Sequence, residues 1–355
     1  QPDLNWENPE IRQEIFDMMR FWFDKGIDGF RMDSISLIAK DPSFPLIDSK
    51  KYPDIFSFYA KEPRLHLYLH EMNRQVLSKY DCMSVGEGSA VMVDDVAKFV
   101  DPAREELNML YHFDAARIRN TTLPDNPESG IDYSLIALKK MFTEWDKAID
   151  KGWPSIYLGN HDQPRMVSRF GSDKDEFRAL SAKMLITFLL TMRGTPYWFA
   201  GDEIGMRNIR FDRIEDYNDI DTINRYKKAK QRVRSAGGIG RTERDRTRHA
   251  RTPFQWDRSP EAGFTAGTPW LKVNPDYTWI NVADEEKDPT SILNYFKKVV
   301  SFRKENPSLI YGSYHLLDAE NPQCYIFLRK TGADTYLIML NFSPRRNLHS
   351  GDRYE

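Results

Sequence analysis

The feature that most constrains this chain is a repeated pairing. A short apolar segment ends on an acidic side chain, and a longer segment with helical periodicity follows. Ile27–Asp33, Met83–Glu87 and Ser155–Asp162 read as strands, and each closes on a carboxylate: Asp33, Glu87 and Asp162. Leu107–Asp114 and Thr195–Asp202 have the same strand-like character, while Leu65–Tyr80, Tyr133–Ile149 and Glu176–Met192 read as helices. Ahead of the first strand, Asn8-Pro9-Glu10 opens a helix with Asn8 as N-cap and Pro9 at the first helical position. Its spacing predicts a run to about Lys25, a stop at Gly26 and a buried face of Ile11, Ile15, Met18, Met19 and Trp22. Strands alternating with helices indicate βα units on a parallel sheet. Both a (β/α)8 barrel and a doubly wound sheet place their site at the C-terminal strand ends. No G-x-G-x-x-G follows any strand, so a dinucleotide site has no support.

At roughly 150 residues per domain, 355 residues allow two domains or one large barrel with an appendage. The texture changes after Asp202. Residues 203–290 are polar and irregular, and Lys227–Arg251 is rich in Lys and Arg. Lys plus Arg is 51 against 53 Asp plus Glu, a net charge of −2. No aromatic-interleaved RNA motif accompanies the basic run, so it reads as a solvated loop rather than a nucleic-acid surface. Asp288-Pro289 opens a further helix over 290–305. From Tyr311 the chain alternates as strands, Cys324–Leu328 and then Thr335–Asn341, the start of a separate β domain. Cys82 and Cys324 cannot build a disulfide framework or a structural zinc site and read as buried, reduced thiols. The apolar stretch Met184–Leu190 falls far short of the ~18 residues that span a bilayer, and there is no leader, so the chain is expected to be cytoplasmic and membrane-free. It opens on Gln1-Pro2-Asp3, without Met and in mid-pattern, which suggests part of a longer protein.

Charged residues at the ends of apolar strands are costly unless they face a cleft and are paired. Arg31 precedes Asp33 by two residues, so both side chains leave one face of the strand, and a guanidinium there favours an ionised Asp33. Taken singly, each carboxylate reads as structural. Three at equivalent strand ends, with an Arg and the adjacent His161 nearby, read as chemistry. Two carboxylates at a barrel mouth are the equipment of glycoside hydrolysis: one attacks the anomeric carbon and the other protonates the leaving oxygen. The His161-Asp162 pair is the only close candidate for metal ligation, and adjacent strand residues face opposite ways unless the backbone turns. No metal site is expected. Neither G-x-S-x-G nor a Walker sequence is present.

Five segments together resemble the α-glucosidase (oligo-1,6-glucosidase-like) branch of the α-amylase superfamily of glycoside hydrolases. They are Gln1-Pro2-Asp3-Leu4-Asn5, Gly29-Phe30-Arg31-Met32-Asp33, Gly86-Glu87, Asn160-His161-Asp162-Gln163-Pro164 and Arg251-Thr252-Pro253-Phe254-Gln255-Trp256. By that resemblance Asp33 is the nucleophile, Glu87 the general acid/base, and Asp162 the carboxylate that binds hydroxyls of the distorted sugar. Arg31 and His161 hold the same sugar and Arg251 closes on it. The implied fold is a partial (β/α)8 TIM barrel, roughly the last five strands, with the start of a C-terminal antiparallel β domain. Residues 1–305 would be barrel, including a long loop region 203–289, and residues 306–355 would begin the β domain. The missing N-terminal barrel half would be required for folding. No cofactor is implied, any calcium site falling in that missing part. The expected partner is a small oligosaccharide.

Departures bear on the substrate. The residue after the nucleophile tracks linkage in this family, Val with α-1,6 and Thr or Ala with α-1,4, and here it is Ser34. Gly88-Ser89 is smaller than the usual pattern and implies a roomier leaving-group subsite. Arg117-Ile118-Arg119 lies about where sucrose isomerases carry an arginine-rich loop, although a surface arginine pair is the ordinary reading. The function implied is a retaining, exo-acting α-glucosidase. The alternatives are a sucrose isomerase or transglucosidase of the same family, and a non-catalytic α-glucosidase-like transporter heavy chain.

Overall fold

Asn8 caps the first helix as its residue type predicts. Its side chain accepts the Glu10 backbone N–H at 2.9 Å, Pro9 sits in the first turn, and the helix runs Pro9–Asp24. The buried stripe differs from the expected one. Phe16, Met19 and Phe23 are buried, Met18 and Trp22 are exposed, and Ile11 and Ile15 are half-buried. This helix carries two apolar stripes, and aromatic packing selects between them: Phe23 stacks on Tyr80 at 4.4 Å between ring centroids and meets Phe30 edge-on at 5.0 Å.

The structure is a computed structural model that describes residues 3–52, 54–118, 133–209, 211, 213–218, 220, 223–224, 226–228, 250–332 and 334–343. The chain divides into two units, residues 1–118, 138–156 and 193–195 in the first, and 119–137, 157–192 and 196–355 in the second.

In the first unit, β1 (Gly29–Met32), β2 (Met83–Glu87) and β3 (Met109–Tyr111) form one parallel sheet in the order β1-β2-β3. Parallel neighbours need a crossover, and the helix Arg64–Gln75 supplies one, burying Leu65, Tyr68, Leu69 and Met72 at i, i+3, i+4 and i+7. Gly29 is required where it stands: a Cβ there would lie 1.9 Å from the Met83 carbonyl oxygen. The helix Leu135–Ala148 repeats the pattern with Leu138, Met141, Phe142 and Trp145 buried. Next comes β4 (Ser155–Ile156), whose Ser155 Oγ donates to the Leu110 carbonyl of β3 at 2.9 Å.

β4 and β5 (Thr195–Pro196) are much shorter than the segments predicted for them. Beyond β4, the side chain of Asn160 accepts the Asp162 N–H and its carbonyl accepts the Gln163 N–H, so a turn replaces the ladder. In β5, Pro196 has no N–H to donate, and the Asp202 N–H turns back onto the Phe199 carbonyl.

In the second unit, the helices Asp175–Thr191 and Ile292–Glu305 pack on each other through Ala182, Ile186, Leu190 and Ile292. The later helix starts two residues after its predicted start because Ser291 caps it, accepting the Asn294 N–H at 3.1 Å. Short helices at Met166–Phe170, Val282–Lys287 and Pro307–Tyr311 were not expected from the sequence. The last is followed by an antiparallel sheet, β6 (Ser313–Leu317), β7 (Cys324–Thr331) and β8 (Asp334–Asn341), in the order β6-β7-β8. Tyr325 and Phe327 of β7 are fully buried. Both cysteines are free thiols; Cys324 is buried, as expected, and Cys82 only half-buried. Most of the basic run, residues 229–249, lies outside the described residues. No described helix is long and apolar enough to cross a membrane.

Candidate active site

Strand register brings three functional side chains to one end of the first unit's sheet. Met32 pairs with Gly86 and Glu87 with Tyr111, so Asp33, Glu87 and Tyr111 occupy neighbouring strand ends. Arg31 projects from the same end and joins all three. Its Nη1 donates to Asp33 Oδ1, its Nη2 to Glu87 Oε2 at 2.9 Å, and its Nε to the Tyr111 hydroxyl. A planar guanidinium can serve several acceptors at once, which an ammonium on a single stem cannot do with fixed geometry.

The backbone adds a further donor. Ser34 adopts the left-handed conformation (φ +42°, ψ +34°), and its N–H donates to Glu87 Oε2 at 2.9 Å. This is an uncommon conformation for a non-glycine residue, and it turns the chain directly after Asp33 so that the amide meets the neighbouring strand's carboxylate.

The two carboxylates sit in unlike surroundings. The Asp33 side chain is 80% exposed and that of Glu87 11% exposed. Burial pushes the Glu87 carboxyl above its ordinary value, and the adjacent Asp33 adds to the rise. The Ser34 amide and Arg31 pull the other way and are outweighed. Burial works against the charge on Arg31, but the hydrogen bonds to Asp33 and Tyr111 and the charge of Glu87 prevail, so it remains a firm cation. Burial likewise raises the Tyr111 phenol. A buried carboxyl whose environment favours its protonated form beside an exposed one is the arrangement that general-acid and nucleophile roles require.

Tyr111 was not among the residues singled out from sequence. Its signal was present: Leu107–Asp114 was read as a strand, and the residue level with Glu87 on that strand is Tyr111. The space released by Gly88 is not open as its size suggests, because a Cβ there would meet Leu110 Cδ2 at 2.7 Å.

The second unit holds the other three residues. The backbone does turn at the strand end, and His161 Nε2 lies 3.2 Å from Asp162 Oδ2. Arg251 Nη2 reaches Asp162 Oδ1 at 2.6 Å, and Arg251 Nε donates to the His161 carbonyl at 2.9 Å. So Arg31, Asp33 and Glu87 are in mutual contact in one unit, and His161, Asp162 and Arg251 in the other. Arg119 and the side chain of Arg117 fall outside the described residues. Among the described residues no group of three or more His, Cys, Asp or Glu is placed to hold a metal ion.

Comparison with known proteins agrees with this chemistry. Residues 1–312 match the catalytic domain of alpha-amylase. An oligo-1,6-glucosidase from Parageobacillus thermoglucosidasius is 47% identical over 97% of this chain and 62% of its own length. The oligo-1,6-glucosidase of Bacillus cereus is 43% identical with the same two coverages, 97% and 62%. Among solved structures, an isomaltulose synthase variant from Erwinia rhapontici NX5, in complex with its natural substrate sucrose, is 40% identical. It superposes with a TM-score of 0.86 over 96% of this chain and 61% of that one. The chain therefore spans about three fifths of the length of the relatives it matches.

Proposed function

The chain belongs to the alpha-amylase family, whose catalytic domain is a (β/α)8 barrel followed by an antiparallel β sheet, and from that premise we propose that it carries the catalytic residues of a retaining, exo-acting α-glucosidase. The substrate class is short oligosaccharides ending in α-1,6- or α-1,4-linked glucose, in keeping with the oligo-1,6-glucosidases it is similar to. Asp33 attacks the anomeric carbon while Glu87 gives its proton to the departing glycosidic oxygen. The resulting glucosyl–Asp33 ester is opened by water, whose proton Glu87 takes back. Asp162 accepts hydrogen bonds from sugar hydroxyls, and Arg31, His161 and Arg251 donate to the sugar. The observation that carries this reading is the single guanidinium of Arg31 bonded at once to exposed Asp33 and buried Glu87.

The finer fold assignment belongs to the same proposal. β1 to β5 are the last five strands of the barrel within residues 1–305, and residues 306–355 begin the β domain. A preceding segment of the full-length protein supplies the remaining strands and is needed for folding. The exposed Met18, Phe21 and Trp22 on the first helix support this, since a soluble helix rarely leaves such a stripe uncovered. The site of action is cytoplasmic.

The test is product analysis of the full-length protein on isomaltose, maltose, trehalose and sucrose, with the first-formed anomer read by proton NMR. α-Glucose released from isomaltose or maltose supports the proposal, and β-glucose as first product overturns retention. The isomaltulose synthase likeness favours a second reading, sucrose isomerisation, which predicts an isomeric disaccharide from sucrose in place of free glucose and fructose.

A further inference from the structure

Arg165 lies three residues beyond Asp162 and has no part in the chemistry above, yet it is among the most thoroughly buried side chains of the protein, 2% exposed. Its guanidinium Nη1 donates to the Ala200 carbonyl at 2.6 Å and its Nη2 to the Ala250 carbonyl at 2.9 Å. Its own backbone N–H donates to Asn208 Oδ1 at 2.8 Å. The Phe199 ring lies 4.7 Å from its Cζ, and the buried Asp202 carboxylate is 3.7 Å from Nη1. The surroundings are shaped to admit it. A Cβ on Gly201, at φ +102°, would lie 2.8 Å from Nη1, and one on Gly159 would lie 3.0 Å from Asp202 Oδ2. Three separate stretches, around residues 159–165, 199–202 and 250, thus converge on one guanidinium.

The residue after Ala250 is Arg251. Ala250 is buried and Arg251 exposed, so the chain emerges from the core between them, and from there Arg251 reaches Asp162 Oδ1 and the His161 carbonyl. We propose that Arg165 is a positioning residue: by clamping the Ala250 carbonyl to the turn at 199–202, it fixes the point from which Arg251 reaches Asp162 and a bound sugar. The proposal rests on the α-glucosidase reading of Arg251 and Asp162. A buried cation is costly unless its donors are used and its charge is matched; here two carbonyls take Nη1 and Nη2 and the Asp202 carboxylate faces the guanidinium, while Nε has no hydrogen-bond partner among the described residues. Lysine would keep the charge but could not hold both carbonyls in a fixed fork.

The test is a double-mutant cycle on the full-length protein with isomaltose, using Arg165→Lys, Arg251→Ala and the pair together. Misplacing a substrate-holding group by about 1 Å costs up to ~10²-fold, so Arg165→Lys is expected to lower kcat/KM by ~10–10²-fold, mainly through KM. In the Arg251→Ala background the same change should cost almost nothing, because the group it positions is gone. A merely structural role for Arg165 would lower both backgrounds equally, and such additive losses overturn the proposal alone. An Arg165→Lys protein of unchanged kcat/KM overturns it as well. If Arg251→Ala by itself leaves kcat/KM intact, the sugar-binding reading of Arg251 fails and the proposal falls with it. Should Arg165→Lys not fold, the charge-neutral Arg165→Met/Asp202→Asn protein removes both buried charges together and enters the same cycle with the same expectations.

Discussion

Replacing Arg31 by Met removes a cation shared by Asp33 and Glu87 and should move the basic limb of the pH profile of kcat/KM upward. Arg31 Nη2 lies 2.9 Å from Glu87 Oε2, which places the charge centres about 4 Å apart. At an effective dielectric of about 20 that pair is worth ~4 kcal/mol. The Arg31 side chain is 36% exposed, so solvent screening reduces this to ~1–3 kcal/mol. The sign follows from the charges. A cation stabilises the ionised carboxyl, so its loss makes Glu87 hold its proton to higher pH, and Asp33, now unscreened, pushes in the same direction. The basic limb, set by Glu87 losing its proton, should therefore rise. The assay is kcat/KM on an activated aryl α-glucoside across the pH range. The size of the activity loss does not decide the matter, because Arg31 also holds sugar. A basic limb that stays where the wild type has it would refute the electrostatic coupling.

Three further outcomes follow from the packing. Ser34→Val places a β-branched side chain in the left-handed region at a cost of ~1–2 kcal/mol, so its Tm should fall while that of Ser34→Gly does not. The ratio of kcat/KM for isomaltose over maltose cancels that general loss and should shift toward isomaltose; an unmoved ratio would place linkage selection elsewhere. Gly29→Ala drives a Cβ into the Met83 backbone, which cannot yield, and should cost ~3 kcal/mol or more in urea unfolding or abolish soluble protein; a loss under ~1 kcal/mol would contradict the β1–β2 register. Burial raises Glu285 from 4.5 to about 7, so its contribution to stability is present below its unfolded pKa and lost as pH rises from about 4.5 to 7. The Tm of Glu285→Gln relative to wild type should therefore climb between pH 5 and pH 8, and a flat difference would show that Glu285 does not titrate there.

The parallel βα order was legible because it rests on periodicity and on strong local signals such as Asn8-Pro9, Gly26 and the carboxylates at strand ends. β2 occupies the predicted span, Met83–Glu87, with nothing to truncate it. β4 and β5 were over-extended because an apolar pattern does not reveal that Asn160 will take up neighbouring amides or that Pro196 will withhold one. The first helix shows the limit of periodicity. With Phe16, Met18, Met19, Trp22 and Phe23 all apolar, only the position of Phe30 and Tyr80 in space decides which stripe is covered. At the candidate site the charged residues could be read because ionisable groups on apolar strands are conspicuous. Tyr111 and the left-handed Ser34 could not: a tyrosine in a strand is ordinary, and nothing about a serine announces φ +42°. The clamp at Arg165 was hidden for a related reason, since its partners are carbonyls far away in sequence, at Ala200 and Ala250.

The central claim is that Asp33 forms a covalent bond to glucose with Glu87 as its acid and base. It is tested most directly by quenching full-length Glu87→Gln in acid during turnover of an activated aryl α-glucoside and mapping the digest by mass. Such a leaving group departs without a proton, so the first step proceeds, while the second step lacks its base and the intermediate accumulates. The account predicts one glucosyl unit on the peptide that contains Asp33, absent from Asp33→Asn treated alike. A glucosyl unit on any other residue, or β-glucose released with no adduct at all, would contradict it.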